Sequence, residues 1–103
     1  MKTWKDLREV LVDIMDGGGE VYFQPPTNVR MTYPCIVFER SDAYTIRADN
    51  NPYVITKRYA VTLITKTADN DLYLDKLLNL PMCTFDRQFI VDNLVHAVFN
   101  IYY

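Results

Sequence analysis

Two β-favouring runs of nine residues, 83–91 and 94–102, lie at the end of this sequence, and only Asp92-Asn93 separates them. So short a connection permits little but an antiparallel hairpin, and Asp and Asn tolerate the positive φ that its tight turn demands. Alternation then sorts the side chains. Ile90, Val95, Ala97, Phe99 and Ile101 are expected on one face, and Phe85, Phe89, Leu94 and Val98 on the other. Any fold for this chain has to accommodate that ribbon.

The remaining elements follow from periodicity. Trp4, Leu7, Leu11 and Ile14 recur at helical spacing, so 3–16 is expected to be a helix with one apolar stripe. Thr3 with Asp6 resembles a capping box, and Gly17-Gly18-Gly19 ends the helix as C-cap and hinge. Val21-Tyr22-Phe23-Gln24 is a short strand that Pro25-Pro26 terminates. Residues 33–40 form a better strand, with Cys35 and Val37 on one face and Ile36 and Phe38 on the other. The composition of 41–52 is that of a loop or loose ribbon, with Tyr44-Thr45-Ile46 extended. Residues 53–66 carry the densest β-favouring run, with Tyr59, Val61 and Leu63 on one face and Thr62 and Ile64 on the other. Asp69, Asn70 and Asp71 offer caps for a second helix, whose stripe is Tyr73, Leu74, Leu77 and Leu78 and whose stop is Leu80-Pro81. The order α-β-β-β-α-β-β predicts an α+β fold, an antiparallel or mixed sheet of about five strands with two helices packed on it.

A length of 103 residues without a linker, repeat or low-complexity tract predicts a single domain over 1–103. Half the residues are apolar and 23% charged, which excludes a disordered chain. A formal charge of −2 argues against a sequence-independent nucleic-acid binder, which needs cations to neutralise phosphates. No run approaches the roughly 20 apolar residues that span a bilayer, and the first residues lack the apolar core of a signal peptide. Two cysteines, Cys35 and Cys83, make no disulfide framework, so synthesis in a reducing cytoplasm is expected. Fourteen aromatic residues are many for this length. A well-filled core and a subunit interface both explain them.

Catalytic sets are missing from the pattern. His96, the only histidine, lies inside the last strand, where a structural hydrogen bond is its ordinary role. Cys35 and Cys83 sit among apolar neighbours as small hydrophobes. Cys35, Cys83 and His96 lack metal-ligand spacing, and a calcium loop begun at Asp69 would place Leu74 and Leu80 where Gly and Glu are required. The glycines follow a helix instead of leading into one, the reverse of a phosphate loop. No catalytic residue, metal or cofactor is therefore expected. Arg40, Arg47, Lys57 and Arg58 flank the central loop, either as a solvated rim or as anchors for a neighbouring subunit. Loops carried by a rigid sheet usually hold function. The candidate interface residues are accordingly Tyr44, Arg47 and Tyr53 in the central hairpin and Arg30 after Pro25-Pro26. Asp86 and Arg87 join them as a pair bridging within or between subunits.

Several stretches together resemble a known family. They are Tyr33-Pro34-Cys35-Ile36-Val37, Ala48-Asp49-Asn50 with Pro52-Tyr53, Arg58-Tyr59-Ala60-Val61-Thr62, Leu80-Pro81 and Phe85-Asp86-Arg87. Asp92-Asn93-Leu94-Val95-His96, Phe99 and Ile101-Tyr102-Tyr103 complete the series. In order and spacing, over roughly 33–103, they resemble the small minor-capsid or tail-completion proteins of long-tailed bacteriophages (siphoviruses) of Gram-positive hosts. The segment Thr67-Ala68-Asp69-Asn70-Asp71 departs from the Pro-containing, Asp-rich turn common there. The resemblance implies a tail terminator: a structural virion protein of the neck, made in the host cytoplasm. Such a protein would form a homohexameric ring that caps the tail-tube protein, stops polymerisation and meets the head–tail connector or stopper. DNA would only pass through the lumen, and no membrane is involved. The alternatives are another head–tail neck protein, such as a stopper or head-completion connector, and a small enzyme or nucleic-acid-binding module.

Overall fold

The computed structural model describes residues 3–24, 32–48, 51–67, 70–81 and 83–103, with backbone alone for 42, 44–48 and 51–55. The elements are α1 (Trp4–Met15), β1 (Glu20–Phe23), β2 (Cys35–Ala48), β3 (Asn51–Thr65), α2 (Asp71–Leu78), β4 (Cys83–Val91) and β5 (Leu94–Tyr102). They form an α+β fold around one five-stranded mixed sheet in the order β1-β2-β3-β5-β4. β1 runs parallel to β2, and every other neighbouring pair is antiparallel.

Local chemistry explains most boundaries. The Asp6 carboxylate accepts a 2.8 Å hydrogen bond from the Thr3 N–H, the reach-back half of a capping box. α1 ends where Asp16 turns left-handed and its N–H donates to the Val12 carbonyl. A Cβ on Gly19 would collide with the Pro34 carbonyl and the Met15 methyl, so this glycine is needed for close approach. Asn70 occupies the N-cap position of α2, yet its side chain makes no capping bond. Asp92 and Asn93 both have positive φ, 53° and 62°, as the two-residue turn between β4 and β5 requires.

The core lies between the helices and one sheet face. Leu7, Leu11, Ile14 and Met15 of α1 and Leu77 of α2 are buried against Ile36, Phe38, Tyr59, Val61, Leu63, Ala97, Phe99 and Ile101. Registers explain this set. Phe38 stands opposite Val61, and Val61 opposite Phe99; Ile36 opposes Leu63, and Leu63 opposes Ala97. An aromatic chain crosses the sheet beneath α1. Trp4 stacks on Phe23 at 4.3 Å, Phe23 meets Phe38 at 4.9 Å, and Phe38 meets Tyr59 at 6.2 Å. Much of the aromatic content therefore serves the core, at about 1.5–3 kcal/mol per fully buried large side chain. The opposite face also buries Cys35, Ile64 and Val98.

Two expectations about the sheet change, and in α2 Leu78, expected in the apolar stripe, is exposed. Most of residues 41–52 is not loop: β2 continues to Ala48, and β3 pairs with it from Asn51 onward. Cross-strand pairing of Thr45 with Ile55 and Ile46 with Val54 overrides the turn-forming composition nearby. Phe85 does not share a face with Phe89. A register shift between Phe85 and Arg87 leaves Asp86 unpaired, which turns Phe85 onto the Phe99 side, 5.4 Å edge to face.

Candidate subunit interface

Among the described residues the sheet leaves two features without a neighbouring strand, at opposite ends. The first is a ribbon. β1 covers β2 only over Cys35–Phe38, and β5 covers β3 only over Arg58–Thr65. Among the described residues, Tyr44–Ala48 and Asn51–Thr56 have no strand partner but each other, so a two-stranded ribbon of roughly 15–20 Å extends past the rest of the described sheet. The molecule is correspondingly long, 51 × 30 × 24 Å. At the ribbon's base Ser41 is the extra residue of a register shift between Arg40 and Asp42. The Ser41 hydroxyl donates to the Arg58 carbonyl and accepts from the Arg58 Nε–H, both at 3.1 Å. Such a bulge fixes the twist with which the ribbon leaves the sheet.

The second feature is the β4 edge. Asp86 and Arg87 sit at its register shift, joined by a 3.0 Å ion pair in which both side chains are well exposed. An exposed pair of neighbours in sequence contributes about 0–1 kcal/mol. It is a marker on the edge and does not hold the fold together. Beyond Gln88 the strand is apolar, Phe89-Ile90-Val91. The Arg87 guanidinium lies 5.7 Å over Phe89, and Phe89 stacks on His96 at 4.9 Å with 9° between the rings. The His96 ring nitrogen Nδ1 lies 3.1 Å from the Leu94 carbonyl oxygen, which gives this histidine a structural setting. Ile90 is 70% exposed and Val91 48%.

Of the candidate interface residues, Asp86 and Arg87 are brought together on this edge. Arg30 lies outside the described residues. Tyr44, Arg47 and Tyr53 belong to the ribbon by their backbone, and their side chains lie outside the described set. Sequence reasoning missed Ser41 and the exposed end of β4. The run Phe89-Ile90-Val91 did carry a signal, since it is apolar on both faces of one strand.

The remaining chemistry is sparse. Burial raises the Cys35 and Cys83 thiols from 9.0 to about 11, so both are protonated at neutral pH and poor nucleophiles. Among the described residues, no three His, Cys, Asp or Glu side chains gather as a metal site. No helix among them is long and apolar enough to cross a membrane. A recess of about 360 Å³ between the helices has Asp13 and Lys76 in its lining. A second, of about 270 Å³, is lined by Leu7, Leu80, Tyr103 and their neighbours and is mostly apolar. The chain matches no protein-family model and no curated protein.

Proposed function

We propose that this chain is a structural assembly protein, a tail terminator that closes into a homohexameric ring on the tail tube of a long-tailed phage. The observation that carries the reading is the pair of uncovered features at opposite ends of the sheet. An isolated two-stranded ribbon is marginal in water, and an exposed apolar edge invites another chain. A subunit carrying both is suited to one head-to-tail contact repeated until it closes. The motif series over 33–103 supports this reading of the assembly, in which the ring stops tube growth and offers its other side to the connector or stopper. Its site of action is the virion neck, and DNA is cargo of the lumen. Six copies at −2 each make an acidic ring, which favours sliding over binding. The reading assigns no catalysis and no cofactor to the chain.

Native mass, measured at several concentrations with and without tail-tube subunits, tests the assembly. A species of six chain masses, in either condition, is the expected result. One chain mass under every condition contradicts it.

A further inference from the structure

The far end of β4 has the pattern of a strand covered on both sides. Phe89 stands opposite His96 on one face, and Ile90 stands opposite Val95 on the other. This chain covers neither well: Phe89 is 36% exposed, and Ile90 and Val91 more. Nor is the edge blunted there. The bulge and the Asp86–Arg87 pair protect the middle of β4, while Gln88–Val91 resumes regular pairing with β5 and leaves its outer edge unpaired among the described residues. Natural sheets rarely leave such an edge bare.

We propose that this end of β4 is the seat for the β2–β3 ribbon of a second copy. Four observations select that occupant. Among the described residues no further strand pairs with the ribbon over Tyr44–Ala48 and Asn51–Thr56, and its strands carry Tyr44, Ile46, Val54 and Ile55, β-favouring residues suited to an apolar edge. It cannot serve its own chain: it leaves the sheet where Arg58 meets Tyr102, whereas the seat lies where Ile64 meets His96, at the other end. Charge agrees, because residues 40–58 hold four cations against two acids, whereas residues 86–92 hold Asp86 and Asp92 against the single cation Arg87, which is paired to Asp86. A second β4 is the poorer occupant: laid antiparallel and centred on Phe89, it would set Asp86 against Asp92. The seat rests on the assembly reading and gives it a specific contact, in which one end of each subunit completes the opposite end of the next.

The test uses the full chain with Cys83→Ser. Thr45→Cys and Ile55→Cys, register partners across the ribbon, are each mixed with Ile90→Cys under mild oxidation. The expected product is a disulfide-linked heterodimer from the mixture, with loss of that band when the Ile90→Cys partner also carries Phe89→Asp. Circular dichroism of each variant before mixing shows that it is folded. Absence of the heterodimer from both mixtures, or a dominant Ile90→Cys homodimer, overturns the seat. Native mass separates this outcome from the ring itself. Hexamers without the cross-link keep the ring and reject the seat, and a cross-linked species that stops at two copies keeps the seat and rejects the ring.

Discussion

Tyr59 shows how much a single position can tell. It is fully buried between Phe38 and the neighbouring strands, and its hydroxyl has no hydrogen-bond partner among the described residues. A buried unsatisfied hydroxyl costs about 1–3 kcal/mol, whereas the ring around it is stabilising. Tyr59→Phe is therefore expected to raise stability by about 1 kcal/mol in denaturant unfolding. A loss of that size would mean that the hydroxyl is satisfied in solution. Cys35 gives a pH counterpart. Burial raises its thiol from 9.0 to about 11, so the folded state holds the proton more tightly than the unfolded chain. The stability this contributes is complete below pH 9 and is lost as pH rises through 11. Thermal melts of the protein and of Cys35→Ala between pH 8 and 11 should show the steeper alkaline decline in the parent protein. Equal slopes would contradict the assignment.

Elements were legible where the local signal and the tertiary demand agreed. The hairpin of β4 and β5 matches its expected limits, 83–91 and 94–102, because Asp92-Asn93 permits one turn geometry. The α1 stripe was equally plain, since three of its four expected residues are buried and Trp4 packs on Phe23. The ribbon was not legible as strand. Ser41, Asp42, Asp49, Asn50 and Asn51 read as loop, and only pairing across the ribbon makes the intervening segments extended. The face of Phe85 was lost for a related reason: one unpaired residue in a bulge inverts every alternation before it. The candidate interface was legible in outline, through Asp86, Arg87 and the ribbon, whereas an edge strand announces itself only once the strand order is known. At this scale the ribbon base is testable. Ser41→Ala removes both bonds to Arg58 and should cost about 1 kcal/mol. It should also speed amide exchange over 42–57 relative to 58–65. Unchanged exchange would show that the bulge does not anchor the ribbon.

The whole molecule combines a well-packed half with two unfinished ends. α1, α2 and the inner sheet face form the core, and among the described residues the far end of β4, Phe89–Val91, contributes no side chain to it. Such a division suits a subunit whose remaining burial comes from neighbours, as in a closed ring built from one repeated contact. The most direct measurement is negative-stain imaging of tail tubes assembled with and without this protein. The account predicts six-fold rings seated at tube ends and tubes that cease to grow once capped. Tubes of unchanged length with bare ends, in the presence of folded protein, would contradict it.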